Sequence, residues 1–479
     1  MPLILPGNVA SATAATGFNV DNSCRFQDAK LTLTPGSTTA ADAWTFSVWI
    51  KRSHIGVTGA SDICSGRNDT DGGNHQSSFE FDATDHLYFD VYHGGVIGPK
   101  FVTNRVFRDP SAWYHIVLDF DSTTTTNRDA ADRMKVWVNG VRETSFSSEV
   151  QSGQDQETHF CQQGGCPLAV GAAAAPGRSA LFEGYMAELY YIAGVGHAAS
   201  EFGEFDEDSP TIWKPKDASE LTFGTNGFYL DFGDSAALGA DVSGNSNDLT
   251  ESGLAATDQT TDTPTNNFAT MNPLRFTNLS ATYSEGSCEF VRTGTGGQMN
   301  GTQGITKGKW YYECLIDDYW QYIGWSDGNA ASLTAACSDA GSHFYGVYAN
   351  LTNMYKHANG SSSGLTGYTV MASGQYIMIA FDADNGELYY GTDGTWGNSS
   401  DPTARTSPAL TGIPTTNFMM PSIGQGTGGR SSTIKMNFGG CSAFTVSSAN
   451  ADANGYGAFE YAVPSGYYAL CTKNLAEYG

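Results

Sequence analysis

Acidic side chains that lie close together in the sequence are the first candidates for chemistry. Glu80, Asp82 and Asp85 fall within a six-residue segment. Two carboxylates about 5–5.5 Å apart can cleave a glycosidic bond, one as the nucleophile and the other as the proton donor. However, residues 83–86 have the composition of a hairpin turn, and an aspartate in a turn cannot share a strand face with Glu80. The pattern therefore favours turn geometry over catalysis.

A second oxygen-rich segment, residues 67–75, is a candidate calcium site. Calcium prefers carboxylate and carbonyl oxygens, and Asp69, Asp71 and Asn74 supply such groups over a short span. The segment lacks the spacing and the terminal glutamate of an EF-hand loop, so a solvated turn is the alternative interpretation. Calcium is the one cofactor that the sequence suggests.

Aromatic residues between strands form the third group of candidates. The predicted ligand-binding residues are Asp317, Asp318, Tyr319, Trp320, Tyr355, His357 and Trp396. Residues between strands need not fill the core and can face outward. Aromatic faces stack on sugars and anchor protein partners, and the neighbouring carboxylates would accept hydrogen bonds from the hydroxyls of a neutral glycan. The alternatives are that Trp320 caps the core, or that these loops contact a neighbouring subunit.

The charge balance excludes several classes of partner. The chain of 479 residues has 24 basic and 50 acidic residues, a formal net charge of −26. Such a chain repels the phosphate backbone of nucleic acids, and it has no basic stripe. No stretch approaches the ~20 apolar residues of a membrane helix, and no secretory signal is visible. We expect neither nucleic-acid binding nor membrane insertion.

Nine cysteines are scattered along the chain. Seven show no paired spacing and are predicted to be small core residues or unoxidised thiols. Cys161 and Cys166 bracket four residues and could close a hairpin disulfide, with a metal site as the weaker alternative. The set is typical of a protein that folds in a reducing cytoplasm.

Alternation of large apolar residues with small or polar ones predicts an all-β fold. Residues 44–50, 113–120 and 134–138 have this pattern, and Asn139-Gly140 is a strong hairpin signal. Many short strands separated by turns indicate antiparallel β-sandwiches of the jelly-roll type.

Two polar segments interrupt this alternation and suggest a domain boundary. One is acidic and ends at Pro210, and the other, residues 241–272, is rich in Asp, Asn, Ser and Thr. We therefore predict a first sandwich over 1–200, a loop-rich connector over 201–279 and a second sandwich over 280–479.

The first half resembles the concanavalin A-like lectin/glucanase superfamily in its laminin-G-like form. The resemblance covers roughly residues 18–195 and is carried by segments 44–51, 111–117, 135–140 and 182–189. The segment from Glu80 to Asp85 is similar to the E-x-D-x-x-E motif of retaining β-glucanases with this fold. Its last position is an aspartate, one methylene shorter than the glutamate of the motif.

The second half resembles a SPRY domain. The segments that carry the resemblance are 308–313, 323–326, 381–382, 386–390 and 421–423. Loops form the recognition surface of SPRY domains, which implies such a role for the loop that holds Trp320.

Several polar segments resemble those of structural proteins of marine tailed bacteriophages. They are 20–26, 213–216, 227–232, 243–248 and 263–268. This resemblance implies a virion protein, such as a tail fibre, an appendage or a capsid decoration, assembled in the host cytoplasm and exposed on the particle exterior.

The expected function is surface recognition or adhesion. The partners would be host glycans or neighbouring virion proteins, and virion proteins are commonly symmetric, so we expect a homo-oligomer such as a trimer. We predict that the chain is not an enzyme. A polysaccharide depolymerase or glucanase and a purely structural assembly protein are the alternatives, between which fold alone cannot choose.

Overall fold

The computed structural model describes residues 17–37, 39–56, 59–68, 75–124, 128–160, 167–174, 180–277, 280–293, 297–329, 336–425 and 431–479. The chain forms two compact units. The N-terminal unit ends at Thr265, and the C-terminal unit begins at Asn266.

The N-terminal unit is built from short antiparallel strands. Its described strands are β1 (Ser23–Phe26), β2 (Lys30–Leu33), β3 (Ala43–Arg52), β4 (Ser61–Asn68), β5 (His75–Phe81), β6 (His86–His93), β7 (Val96–Val106), β8 (Trp113–Asp121), β9 (Met134–Val138), β10 (Val141–Arg142), β11 (Phe146–Val150), β12 (Leu168–Val170), β13 (Gly184–Ala193), β14 (Gly203–Phe205), β15 (Trp213–Pro215), β16 (Phe228–Leu230), β17 (Thr250–Ser252) and β18 (Gln259–Thr260). The first sheet has the order β10-β9-β8-β3-β13-β1-β18, with β16 paired to β13, and the second has the order β11-β7-β6-β5-β4-β12-β2-β17. Strands β14 and β15 form a separate pair.

One hydrophobic core lies between the first and second sheets. On β3, Trp44, Phe46 and Val48 belong to this core, as the alternation of the sequence predicts. Trp44 stacks on Phe120 of β8 with ring centroids 5.5 Å apart. The predicted hairpin between β9 and β10 is confirmed, and Asn139 adopts the positive φ of 49° that its turn requires.

Residues 201–265, which we predict to be part of a connector, are folded into the N-terminal unit. Strand β16 pairs with β13, β17 with β2, and β18 with β1. Lys51 Nζ forms a buried ion pair with Asp262 Oδ2 at 2.7 Å. The polar composition has a structural cause: Asp241, for example, accepts hydrogen bonds from three backbone N–H groups. Such residues satisfy the backbone of tight turns, and they do not mark a linker.

The C-terminal unit is also built from two large sheets. Its described elements are β19 (Met271–Thr277), β20 (Ser280–Ser284), β21 (Glu289–Thr293), β22 (Gly297–Gly301), β23 (Lys309–Ile316), β24 (Tyr322–Ser326), β25 (Phe344–Ala349), β26 (Met354–Ala358), β27 (Ser361–Leu365), β28 (Tyr376–Asp382), β29 (Glu387–Thr392), β30 (Thr395–Trp396), β31 (Met420–Gln425), β32 (Ser432–Asn437), β33 (Tyr468–Ala469) and the helix α1 (Thr472–Tyr478). The third sheet has the order β19-β22-β31-β24-β25-β26-β27, and the fourth has the order β20-β21-β32-β23-β28-β29-β30. Strand β33 pairs with β23 in parallel orientation.

Aromatic and aliphatic side chains fill the space between the third and fourth sheets. Trp310 on β23 and Trp325 on β24 are fully buried in this core. The Trp325 ring lies 4.9 Å from that of Phe381 on β28. The all-β fold with antiparallel sandwiches is therefore confirmed.

Seven of the nine cysteines lie in described residues, and all seven are buried. Cys161 and Cys166 lie outside the described residues, so their pairing stays a prediction. Within the described ranges, no helix is both long enough and apolar enough to cross a membrane.

Candidate functional site

The segment with Glu80, Asp82 and Asp85 joins β5 to β6 in a hairpin, as predicted. Glu80 lies on β5, whereas Asp82 closes the turn. Its Oδ1 accepts hydrogen bonds from the backbone N–H groups of Thr84 at 2.8 Å and His86 at 3.1 Å. The side chain of Asp82 is thus engaged in holding the turn together.

Asp85 is held by cations and by the backbone. Its carboxylate lies 3.1 Å from Arg52 Nη1 and 2.7 Å from Arg108 Nε. It also accepts a hydrogen bond from the Gly56 N–H at 3.0 Å. Burial opposes ionisation of Asp85, but these donors outweigh it and lower the pKa of the carboxyl below its usual value. A carboxylate in this state is a poor proton donor for glycosidic cleavage.

The predicted calcium ligands Asp69, Asp71 and Asn74 lie outside the described residues. Across the part of the chain that the structure does describe, no three or more His, Cys, Asp or Glu side chains are grouped to hold a metal ion. Calcium binding at residues 69–74 therefore stays a prediction.

Asp317, Asp318, Tyr319 and Trp320 lie between β23 and β24, outside the strands as predicted. Asp317 is exposed and the other three are half-buried. Asp317 Oδ1 accepts a hydrogen bond from the Thr433 N–H at 2.7 Å, which fixes the start of the loop. Tyr319 packs against the core, and its ring lies 6.1 Å from that of Trp320. The loop presents part of Trp320 to solvent.

Tyr355 and His357 lie within strand β26, not in a loop as predicted. His357 is buried, with 1% of its surface exposed. Its Nδ1 lies 2.8 Å from Ser362 Oγ, and its Nε2 accepts a hydrogen bond from the Gly360 N–H at 3.0 Å. Both ring nitrogens therefore bind the β26–β27 hairpin, which removes His357 from the predicted binding surface.

Trp396 lies in β30 of the fourth sheet, whereas Tyr355 lies in the third. The half-buried Trp396 ring packs edge-on against Tyr311 with centroids 6.4 Å apart. The seven predicted residues therefore do not form one site. They are distributed over a loop and two different sheets.

Three tyrosines form a stacked row on the outer face of the third sheet. Tyr322 on β24 lies opposite Tyr348 on β25, and Tyr348 lies opposite Tyr355 on β26. The ring centroids are 4.4 Å and 4.9 Å apart, with interplanar angles of 10° and 12°. The adjacent Ile323 and Val347 belong to the core, so alternation places the tyrosines on the opposite face. We call these three residues the tyrosine ladder.

The tyrosine ladder is open at its outer end. Tyr355 pairs with Gly364 on β27, the edge strand of the sheet. A Cβ atom added at Gly364 would have no described atom within 4 Å apart from its chain neighbours. Because the Tyr355 ring is nearly parallel to that of Tyr348, its second face is turned towards this open space. The arrangement is a flat aromatic platform beside a position that carries no side chain.

Polar groups border this platform. Asn350 Nδ2 donates a hydrogen bond to the Tyr355 hydroxyl at 3.0 Å and fixes the ring. Ser362 on β27, two residues before Gly364 and therefore on the same face, is exposed. Hydroxyls beside an aromatic face are suited to a neutral ligand that has both an apolar side and hydroxyl groups.

The comparisons with known proteins are clearest for the N-terminal unit. Residues 26–191 match the concanavalin A-like lectin/glucanases superfamily. This lectin-like region extends from the last residue of β1 to most of β13 and includes the core strands β3, β8 and β9. No match is found among curated proteins.

Solved structures with similar β architecture have low identity to this chain. The SPRY domain of human HERC1 is 13% identical and has a TM-score of 0.28, over 36% of this chain and 99% of that domain. A candidate carbohydrate-binding protein from Bacteroides ovatus is 14% identical with a TM-score of 0.35, over 50% of this chain and 60% of its own. Domains LG4-5 of the mouse laminin alpha1 chain are 10% identical with a TM-score of 0.31, over 87% of this chain and 93% of theirs. Likenesses at this level carry no argument about function.

Proposed function

We propose that this chain is an adhesion protein of a bacteriophage virion, and that its C-terminal unit binds a neutral glycan on the tyrosine ladder. The observation that carries the proposal is the open face of Tyr355 beside Gly364. The C–H groups on one side of a sugar ring pack against such a face, while its hydroxyls reach the polar groups at the rim.

The charge of the chain supports a neutral glycan polymer. The formal net charge of −26 repels a polysaccharide that carries many negative charges and slows their association. A neutral glycan experiences no such repulsion. Stacking on tyrosine depends on surface contact and not on charge.

The lectin-like region supports a recognition role for the N-terminal unit as well. Its match to the concanavalin A-like lectin/glucanases superfamily covers proteins of both binding and hydrolytic type. The engagement of Asp82 and Asp85 in the β5–β6 turn favours the binding type. We assign no catalytic step to this chain.

Substitution of Tyr355 by alanine is expected to weaken glycan binding about tenfold, the loss that corresponds to ~1.4 kcal/mol of stacking and contact energy. Gly364→Val should have a similar effect, because its side chain would fill the space beside the ring while the ring remains. Binding of the full chain to a printed array of neutral oligosaccharides, followed by titration of the strongest binder, measures both effects.

Tyr478→Ala is the matched control, because it removes a half-buried tyrosine from a stacked pair elsewhere in the same unit. Tyr478 stacks on Tyr468 with ring centroids 3.9 Å apart. The control should bind as the parent does. Absence of any neutral glycan ligand, or equal binding by Tyr355→Ala, would contradict the glycan proposal.

The virion location rests on the phage-like segments and is tested separately. Antibody raised against the chain and labelled with gold should decorate the exterior of purified particles of the phage that encodes it. Absence of label and of the chain from those particles would reject the virion role. Exterior label combined with an array that shows no binding would instead favour contact with neighbouring virion proteins.

A further inference from the structure

The C-terminal unit buries an arginine at one end of its core. Arg292 on β21 has 3% of its surface exposed. Phe290, two residues earlier on the same strand, belongs to the core between the third and fourth sheets. Residues two apart on a strand share a face, so the Arg292 side chain enters the space between the sheets.

Among the described residues, only the Nη2 atom of this guanidinium has hydrogen-bond partners. Nη2 donates to Gln321 Oε1 at 2.5 Å and to Ser432 Oγ at 2.7 Å. Nε and Nη1 are buried and have no partner among the residues that the structure describes. A charged donor that is buried without a hydrogen-bond partner costs more free energy than a neutral donor in the same position.

The neighbouring glutamine adds further donors at the same place. Gln321 is fully buried, and its Oε1 is taken by Arg292. Its Nε2 has no partner within the described part of the chain. The buried groups of Arg292 and Gln321 that have no hydrogen-bond partner among the described residues are therefore all N–H donors. What the site lacks is an acceptor.

A small cavity lies beside Arg292. Its volume of about 10 Å³ has room for roughly one water-sized group, and Arg292 lines it together with Phe290, Met299, Ile423, Gly424 and Ile434. Its walls are apolar apart from the guanidinium. A ligand that fits must be small, and it must carry the acceptor that the donors require.

The charges nearby favour a single negative charge on this ligand. Burial lowers the pKa of Arg292 to about 10, and Cys337, Asp317 and Asp318 oppose this shift, so the guanidinium remains charged at neutral pH. One guanidinium neutralises one negative charge, and the two aspartates repel a second. Sulfate and phosphate dianions are therefore disfavoured in this apolar cavity.

We propose that Arg292 and Gln321 form a buried site for a small monovalent anion in the C-terminal unit. The anion is either an inorganic ion such as chloride or the carboxylate group of a small ligand, and both present the same acceptor to the donors. Gln321 directly follows Trp320 in the chain. An anion in the cavity would therefore also stabilise the end of the loop that holds Trp320.

The melting temperature of the full chain, measured by calorimetry, tests this site. At constant ionic strength, a bound anion should raise the transition of the C-terminal unit by about 5 °C at 100 times its dissociation constant. Sodium chloride and sodium acetate are compared with sodium sulfate. A response to chloride supports an inorganic ion, and a response to acetate alone supports a ligand carboxylate. No response to either beyond that to sulfate would overturn the proposal.

Two substitutions test whether a rise in melting temperature on addition of an anion depends on these residues. Arg292→Gln should abolish it, and Gln321→Glu should also abolish it by supplying a carboxylate from the chain itself. Arg405→Gln is the matched control, because Arg405 is an exposed arginine of the same unit that binds Glu387 at 2.9 Å. If the chain responds to chloride, an anomalous peak beside Arg292 is expected in crystals soaked in bromide. A response that persists unchanged in both site variants, or the absence of that peak from a chain that responds to chloride, would reject the assignment.

Discussion

Substitution of Asp262 by alanine is expected to lower the free energy of unfolding of the N-terminal unit by about 3–5 kcal/mol, because it removes the carboxylate from a buried lysine. Asp262 Oδ2 lies 2.7 Å from Lys51 Nζ, and both side chains are almost fully buried. Asp262 Oδ1 also accepts a hydrogen bond from Trp113 Nε1 at 3.2 Å. Urea unfolding is monitored by hydrogen exchange of peptides from β3, in the N-terminal unit, and from β23, in the C-terminal unit, so that each unit is measured separately.

Two further variants separate the ion pair from other causes of instability. Asp132→Ala removes an exposed ion pair with Arg142 and should cost less than about 1 kcal/mol. The double variant Lys51→Met/Asp262→Leu replaces the buried pair by apolar groups and should recover most of the loss. If Asp262→Ala unfolds at the same urea concentration as the parent, residues near 262 do not hold the N-terminal unit together.

The result of this experiment bears on the domain boundary that the sequence did not reveal. Alternation identified β3 and the other central strands, because one face of each is buried in a continuous core. The segment from 201 to 265 has short strands and polar turns, and the residues with which it forms ion pairs lie far away in sequence. Asp258 pairs with Arg25 at 2.8 Å, and Asp262 pairs with Lys51. No local pattern shows which distant cation an aspartate meets.

The tyrosine ladder illustrates a second limit of the sequence. Tyr355 could be named as a candidate from its type, but its strand could not be assigned because polar residues interrupt the alternation around it. Tyr322 lies in a short strand that the sequence indicates, whereas no sequence pattern marks the strand of Tyr348. Their stacking depends on the register between β24, β25 and β26, which a single sequence does not specify.

The sequence does not distinguish Arg292 for a related reason. Its strand β21 follows shortly after the segment predicted as a connector, and an arginine there is ordinarily expected at the surface. The missing partners of its guanidinium are a property of the packed sheets. By contrast, the loop from Asp317 to Trp320 was predicted in the correct place, because two clear strands bound it and loops lie at surfaces.

Glu188 makes the stability of the N-terminal unit sensitive to pH. It lies in β13 at the shift in register with β3 and has a positive φ of 47°. Its Oε2 accepts hydrogen bonds from the hydroxyls of Tyr190 at 2.6 Å and Tyr229 at 2.8 Å. Burial raises the pKa of Glu188 from 4.5 to about 7, assisted by the charges of Asp231 and Asp217 and opposed by the two tyrosine hydroxyls.

The folded chain therefore holds a proton on Glu188 that the unfolded chain releases between pH 4.5 and 7. Stability falls with rising pH wherever the folded state binds more protons. The stabilisation that the proton on Glu188 gives to the folded unit is fully present below pH 4.5 and is lost as pH rises through 7. Above that range, the titration of Glu188 changes the stability no further. A pKa difference of this size corresponds to roughly 2–4 kcal/mol.

Substitution of Glu188 by glutamine is expected to remove this loss, because an amide keeps an oxygen acceptor for both tyrosines and cannot ionise. Relative to the parent, the variant should gain about 2–4 kcal/mol of stability between pH 4.5 and pH 8. Urea unfolding of both chains at half-unit intervals of pH measures the difference, in which the titration of all other shared groups cancels. Glu204→Gln, at an exposed glutamate of the same unit, is the matched control and should follow the parent. A constant difference between Glu188→Gln and the parent across this range would show that Glu188 keeps its ordinary pKa in the folded unit.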